Sequence, residues 1–423
     1  MSHLRRLAVF ALLVAMCTLN ARAEDNRSEI KTVFVIAMEN HNWTQPANQF
    51  TGGIQQIFQN PNAPYINSLV NGTATAIING RQVNISEQVA FANNYRNVLA
   101  TAGSNPHIHP SEPNYIWAEA GTNFGVFNDS DPFSPLSGTL TIQNQDNQLH
   151  LTRLLDQCGV SWKSYQEDID LVPDGTSFDN IVLPQNQWTS PVKSFSGIFV
   201  AGTNQFNGSK QFNYAVKHNP MAFFTDSNGG NDLTTTNPER LQYAPLQQLF
   251  TDLANNTVAR YNWITPNQFN DQHTALTGGF KGVTGDAANL LQGDNFLQIV
   301  IPEIMASKAY KDHGAIILWW DEAEGDGVSG DNPDDLTHTI PEIVISTLAH
   351  PNEGGIPFAS DAFLTHSSDL RTMQEIFHVT KPFFLGDAIH ANDLSSLFAD
   401  GAIRSDRDGD GDNEGCRGDQ DGH

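Results

Sequence analysis

Short runs of apolar and β-branched residues recur along the chain, and several end abruptly in oxygen-bearing side chains. Thr32-Val-Phe-Val-Ile-Ala-Met38 gives way to Glu39-Asn40, and Ala315-Ile-Ile-Leu-Trp-Trp320 gives way to Asp321-Glu322. Tyr261-Asn-Trp-Ile-Thr265 leads through Pro266 to Asp271 and His273, and Glu342-Ile-Val-Ile-Ser346 follows soon after His338. Unbroken apolar runs of this length predict strands covered on both faces. Segments 149–157 and 369–377 read as helices between such strands. The alternation predicts an α/β fold, with a parallel or mixed central sheet and helices on both faces. In open sheets of that kind functional groups collect at the carboxyl ends of the strands, which is where the acids fall here. Segments 42–96 and 168–209, rich in Asn, Gly, Pro and Gln, read as loops and surface insertions.

Composition narrows the setting. The 423 residues include 47 acidic and 22 basic ones, a net charge of -25. Such a surface argues against nucleic acid and anionic membranes as steady partners. It also repels phosphate esters, so a site for them needs local positive charge, most simply a metal. Arg5 and Arg6 precede an apolar run over 7–16 and the cleavage pattern Ala21-Arg22-Ala23. Together they predict a secretory signal peptide over 1–23 and a secreted or periplasmic protein. The apolar run is shorter than the ~20 residues a membrane-spanning helix takes, and no later segment reads as a stable membrane anchor. With Cys17 in the leader, Cys158 and Cys416 are left as a pair that an oxidising compartment would allow to bridge. No linker or repeat divides 24–403, which reads as one catalytic domain. In the tail, 404–423, carboxylates alternate from Asp406 to Glu414, as in a short extracellular calcium loop or a disordered acidic end. Oligomeric state is not legible.

The chemistry-bearing residues form three groups. Two acidic strand ends at one sheet edge repel each other unless a cation lies between them. Glu39, Asn40, Asp321 and Glu322 therefore point to a divalent metal cation. Oxygen-rich ligation favours Mg, Ca or Mn, while nearby histidines leave Zn and Fe open. The second group is His107-Ile-His-Pro-Ser-Glu-Pro-Asn-Tyr115, where Ser111 precedes Pro113 at the predicted start of a helix through Tyr115, Ile116 and Trp117. Locally, Ser111 is either an N-cap or, with a cation on its oxygen, a nucleophile beside an anion-stabilising helix terminus. In the third group, His218 and His273 lack the i, i+4 spacing of a helical zinc motif. Each is either a satisfied structural residue or a donor to non-bridging phosphate oxygens. Asp271 would orient His273 or ligate a second metal. His338 and His366, close to strand and helix starts, complete the candidates.

Seven segments occur in an order that is recognisable: Phe34-Val-Ile-Ala-Met-Glu-Asn40, His109-Pro-Ser-Glu-Pro-Asn-Tyr115, Ser161-Trp-Lys-Ser-Tyr165, Lys217-His-Asn-Pro220, Ile264-Thr-Pro-Asn267 with Asp271 and His273, Trp320-Asp-Glu322, and Thr365-His-Ser-Ser368. From about Lys31 to Phe384 the chain resembles the phosphoesterase family that unites bacterial phospholipases C with acid phosphatases. The resemblance implies an alkaline-phosphatase-like three-layer αβα sandwich with a mostly parallel central sheet. It also implies hydrolysis of small-molecule phosphate esters through a covalent phosphoserine. By position, Glu39 and Asn40 match the family's first metal-ligand pair and Asp321 and Glu322 its last. Ser111 matches the nucleophile, which also touches the metal, and His218 and His273 match phosphate-contacting histidines, one of them a proton donor to the leaving alcohol. Asn114 enters as a further substrate contact and Asp271 as a further metal ligand.

Many relatives have Pro-Asn-Arg where this chain has Pro-Asn-Tyr115, a change that removes a phosphate or head-group contact. That tyrosine and the end of the chain soon after the last motif resemble the acid phosphatase branch, hence a phosphomonoesterase. A phospholipase C-type phosphodiesterase is the other enzyme reading. A non-catalytic extracellular calcium-binding protein is the reading the Asp-rich tail suggests.

Overall fold

The computed structural model describes residues 29–403, apart from 45–52, 54, 79, 100–106, 133–143, 326–331, 333–334, 336 and 382. The predicted leader, Cys416 and the Asp-rich tail lie outside the described residues; Cys158 is disulfide-bonded.

Eight strands form the central sheet: β1 (Thr32–Met38), β2 (Val89–Ala92), β3 (Trp162–Gln166), β4 (Tyr243–Pro245), β5 (Tyr261–Thr265), β6 (Gly314–Trp320), β7 (Glu342–Ser346) and β8 (Phe358–Ser360). Their order is β4-β3-β5-β1-β6-β7-β2-β8. Every neighbouring pair is parallel except those that β7 makes with β6 and β2. The unbroken apolar runs account for the centre. After Thr32 every residue of β1 is buried, as is all of β6, so both faces of these strands are covered.

The α-helices longer than one turn, among the described residues, are α1 (Pro64–Val70), α2 (Ser111–Ala120), α3 (Leu151–Gln157), α4 (Leu246–Asn255), α5 (Asp286–Ala306) and α6 (His366–Ile376). α2, α3 and α6 pack on one another, and α1 and α4 each pack on α5, which gives two helical layers with the sheet between them. None of the described helices is long and apolar enough to cross a membrane.

Three sequence expectations need correction. Val89–Ala92 falls in a segment read as loop, yet it is an inner strand of the sheet, a four-residue apolar run too short to stand out among Asn and Gly. Segment 168–209 is not plain loop either: Leu171–Asp174, Ser177–Val182 and Phe195–Ile198 are strands, packed about Leu171, Phe199 and Phe212. α6 starts at His366, three residues before its expected start, where the N–H of the N-cap residue Thr365 donates to Ser368 Oγ at 3.0 Å.

Register decides where the polar strand ends meet. β1 and β6 pair with Met38 opposite Trp320, so Glu39 and Asp321 leave adjacent parallel strands at the same level. Asp321 N–H donates to Met38 O (3.2 Å), and Glu39 N–H donates to Asp271 O in the loop after β5 (2.8 Å). α2 lies over these ends, tied to α6 by Trp117 Nε1–H donating to Ser367 Oγ at 2.9 Å.

Candidate active site

Ser111 opens α2, but it does not cap it. Pro110 holds the N-cap position, with no side-chain cap bond, and the Ser111 hydroxyl turns toward the sheet. Its Oγ donates to Glu39 Oε2 at 2.9 Å, with Asn40 Oδ1 at 3.4 Å and Glu322 Oε1 at 3.5 Å. Asn40 sits in the left-handed region (φ 36°), which Asn tolerates better than most residues. Its N–H donates to Asp321 Oδ1 (3.0 Å) and its Nδ2 to Glu324 Oε1 (3.0 Å). With the amide nitrogen held that way, the amide oxygen faces Ser111.

The remaining candidates converge on the same point. His218 Nε2 lies 3.1 Å from Glu39 Oε1, and its Nδ1 lies 3.3 Å from Asp271 Oδ2. Neither contact has hydrogen-bond alignment. Asp271 Oδ1 accepts from the His273 N–H (2.8 Å), so it orients that residue through the backbone. The rings of His218 and His273 are 6.0 Å apart. Asn114 Nδ2 donates to Ile108 O (2.9 Å) and Glu322 Oε2 (3.3 Å). His338 is buried beside His107, outside this group.

A site with four carboxylates wholly out of water is electrostatically incomplete. Burial raises the pKa of Glu39, Asp271, Asp321 and Glu322 well above the usual carboxylate range, and neighbouring acids push each further. Asp271 Oδ2 and Asp321 Oδ2 are buried with no hydrogen-bond partner. One ligand atom each from Glu39, His218 and Asp271 lies within 4.8 Å of the others. Orphaned carboxylate oxygens, an amide oxygen and a serine hydroxyl around one point are the donor set of a divalent cation, and the residues present fit one.

The model of the Phosphoesterase family matches residues 14–380. The chain belongs to the phosphoesterase family. It is similar to a probable acid phosphatase of Kluyveromyces lactis, 28% identical over 191 residues, which are 45% of this chain and 36% of the relative. It is also similar to an acid phosphatase of Aspergillus fumigatus, 30% identical over 192 residues, 45% of this chain and 33% of the relative. The chain thus spans about a third of the length of these curated relatives. A solved structure of an alkaline phosphatase superfamily protein from Vibrio parahaemolyticus aligns with a TM-score of 0.43 and 11% identity, covering 89% of this chain and 73% of that one.

The site also takes in His366, already among the candidates, and Tyr115, His109 and Lys217, which the sequence reading did not assign to it. The Tyr115 hydroxyl donates to Glu39 Oε1, and its ring stacks on His218 at 5.0 Å and 13°. The tyrosine therefore braces a carboxylate and a histidine from within the fold. His109 Nδ1 lies 3.1 Å from Glu322 Oε2. His366 donates through Nε2 to Asp321 O, while its Nδ1 accepts from Trp319 Nε1–H (3.0 Å), which fixes its tautomer and the main chain at the end of β6. Lys217, adjacent to His218 in a turn over Val216–His218, brings a positive charge close to Glu39 and Asp321. Lys217 lies in the Lys217-His-Asn-Pro220 segment. Nothing in one sequence, however, distinguishes a lysine that reaches a site from one that reaches water.

Proposed function

We propose that this protein hydrolyses phosphate esters, with phosphomonoesters as substrates, through a covalent phosphoserine on Ser111. The observation that carries the reading is the Ser111 hydroxyl, at the first turn of a buried helix, bonded to Glu39 at 2.9 Å instead of capping the helix. Glu39, Asn40, Ser111, Asp321, Glu322 and Asp271 would hold the divalent cation, which when bound lowers the pKa of the serine hydroxyl and offsets negative charge on the phosphoryl group.

Ser111 Oγ attacks phosphorus in line as the ester P–O bond breaks, and Glu39 Oε2, already its acceptor, takes the hydroxyl proton. His218 and His273 serve as N–H donors to non-bridging oxygens. Burial, then the Lys217 charge, lowers the His218 pKa well below the ordinary value and that of His273 to about 4. Both rings are thus neutral at neutral pH, and the leaving alkoxide takes its proton from water, not from a histidinium. Water next attacks the phosphoserine from the opposite side. Phosphate leaves, and Glu39 returns the proton to Ser111 Oγ.

Export from the cytoplasm belongs to the same proposal, supported by the leader pattern over 1–23 and by the disulfide at Cys158. The test is Ser111→Ala, assayed for phosphate release from a soluble phosphomonoester and for phosphocholine release from phosphatidylcholine micelles. Loss of release by at least ~10³-fold with unchanged circular dichroism is expected; undiminished turnover removes Ser111 from the mechanism. A wild-type preference for the micelle replaces the monoesterase reading with the phosphodiesterase one.

A further inference from the structure

An anion already sits beside the nucleophile, and it belongs to the protein. Asp129 Oδ1 accepts from the Glu112 N–H at 3.2 Å, and Asp129 Oδ2 accepts from Lys217 Nζ at 2.9 Å. Glu112 directly follows Ser111, and Lys217 directly precedes His218. The two donors thus flank the residues assigned to attack and to phosphate contact. One carboxylate oxygen on each donor is the pattern that two non-bridging oxygens of a phosphoryl group would reproduce.

We propose that the Glu112 N–H and the Lys217 ammonium form an anion subsite for the phosphoryl group, and that Asp129 is a resident carboxylate which substrate displaces. The proposal rests on the phosphoesterase reading and deepens it. The first N–H groups of a helix lack intrahelical partners and attract negative charge. Here Pro110 offers no side-chain acceptor, so the Glu112 N–H is open to an external one.

The partners differ in freedom. The Lys217 side chain is 12% exposed and anchored next to His218, whereas Asp129 is 36% exposed, on the loop that follows α2. Asp129 can therefore swing into water while the donors stay. The Lys217 charge also reaches inward, lowering the pKa of Glu39, Asp271 and Glu322 against the burial that raises them. A dianionic monoester replaces the carboxylate on this cation with charge to spare, while a monoanionic diester only matches it. The pair thereby selects for monoesters.

The experiment measures inorganic phosphate binding by titration calorimetry, and its competition with a chromogenic phosphomonoester, on the metal-replete full chain. Asp129→Ala is expected to tighten phosphate about tenfold and lower KM with kcat within about threefold, because the internal competitor is gone. Lys217→Met is expected to weaken phosphate about 100-fold, and in that background Asp129→Ala gains no more than about twofold. Should Asp129→Ala fail to fold, Asp129→Asn, which can still accept from the Glu112 N–H, is expected to tighten phosphate in the same direction.

Unchanged or weaker phosphate binding in both Asp129 variants overturns the proposal and leaves Asp129 as a structural tie. So does a wild type and an Asp129→Ala variant that both fail to bind phosphate at about 10 mM. A wild type that shows the expected binding shifts but hydrolyses no ester keeps the subsite and sinks the phosphoesterase reading.

Discussion

At the scale of single residues, Tyr115 does the least obvious work. Position alone suggests that it replaces a substrate-binding arginine, yet its hydroxyl points at Glu39 and its ring lies flat on His218. Tyr115→Phe keeps the stacking and removes only the hydroxyl, leaving a buried Glu39 oxygen without its donor. Such a loss costs about 1–3 kcal/mol. We expect kcat to fall roughly 10–100-fold with little change in KM, since the group lost positions a proton acceptor and not the substrate. Steady-state kinetics with a thermal melt check this; an unchanged kcat would show that Glu39 is held by its other contacts. His366 and Glu324 belong to the same class. Each acts on an oxygen of a candidate ligand residue or on its amide and lies far from that partner in sequence, so Glu324 was not legible as a site residue and His366, a candidate by residue type, had no legible partner.

At the scale of elements, α5 shows how a helix without a polar stripe shapes a site it does not enter. It is buried along most of its length, which leaves no polar stripe to mark its helical period, and it escaped the sequence reading for that reason. At Gly293 it approaches the loop after β5 so closely that an added Cβ would lie 2.2 Å from Gln272 Cγ and 2.8 Å from Met38 Cε. Gln272 stands between Asp271 and His273 in the left-handed region (φ 84°), with its Oε1 accepting from Trp320 Nε1–H at 2.9 Å. Gly293→Ala therefore pushes on the ends of β1 and β6 and on the Asp271–His273 loop together. Overpacking of this kind typically costs about 1–3 kcal/mol. A lowered Tm with activity reduced more than the stability loss explains is the expected outcome. A variant with wild-type melting and turnover would mean that the loop yields freely.

For the whole molecule, the dominant electrostatic fact is buried acid. Away from the site, burial raises Glu167 and Glu375 to about 8 and Asp294 and Asp369 to about 7. A carboxyl whose folded pKa is raised contributes stability that is complete below its unfolded value near 4 and is lost as pH rises through the folded value. His41 and His273, lowered to about 4, and His366, lowered to about 3, act oppositely: they favour folding as pH rises toward 6.5 and add nothing further above it. The terms oppose each other between about pH 4 and 6.5. Above that window the carboxyl loss remains, joined by that of buried His150, whose pKa is raised by its bonds to Asp226 and Glu119, so Tm should fall from pH 6.5 to 8.5. Chelation should steepen the fall, because Glu39, Asp271, Asp321 and Glu322 then carry their mutual repulsion uncompensated. Restoring a divalent cation at 100 times its Kd should recover about 2.7 kcal/mol. Melting curves across pH with and without chelator test both; a flat profile would mean these acids are solvated after all.

The sequence by itself determined the α/β class, the central strands and the acids at their ends. Each of these is written locally, in an apolar run long enough to need cover on both faces and in the polar residue where that cover stops. The motif order carried the family as well, and with it the list of candidate residues. Only the tertiary structure decided which of them meet. Register puts Glu39 level with Asp321, the turn of α2 aims Ser111 inward instead of capping, and Tyr115, Lys217 and Asp129 arrive from separate elements. The reason is physical: burial and charge at one point are sums over residues distant in the chain, and no local pattern encodes such a sum.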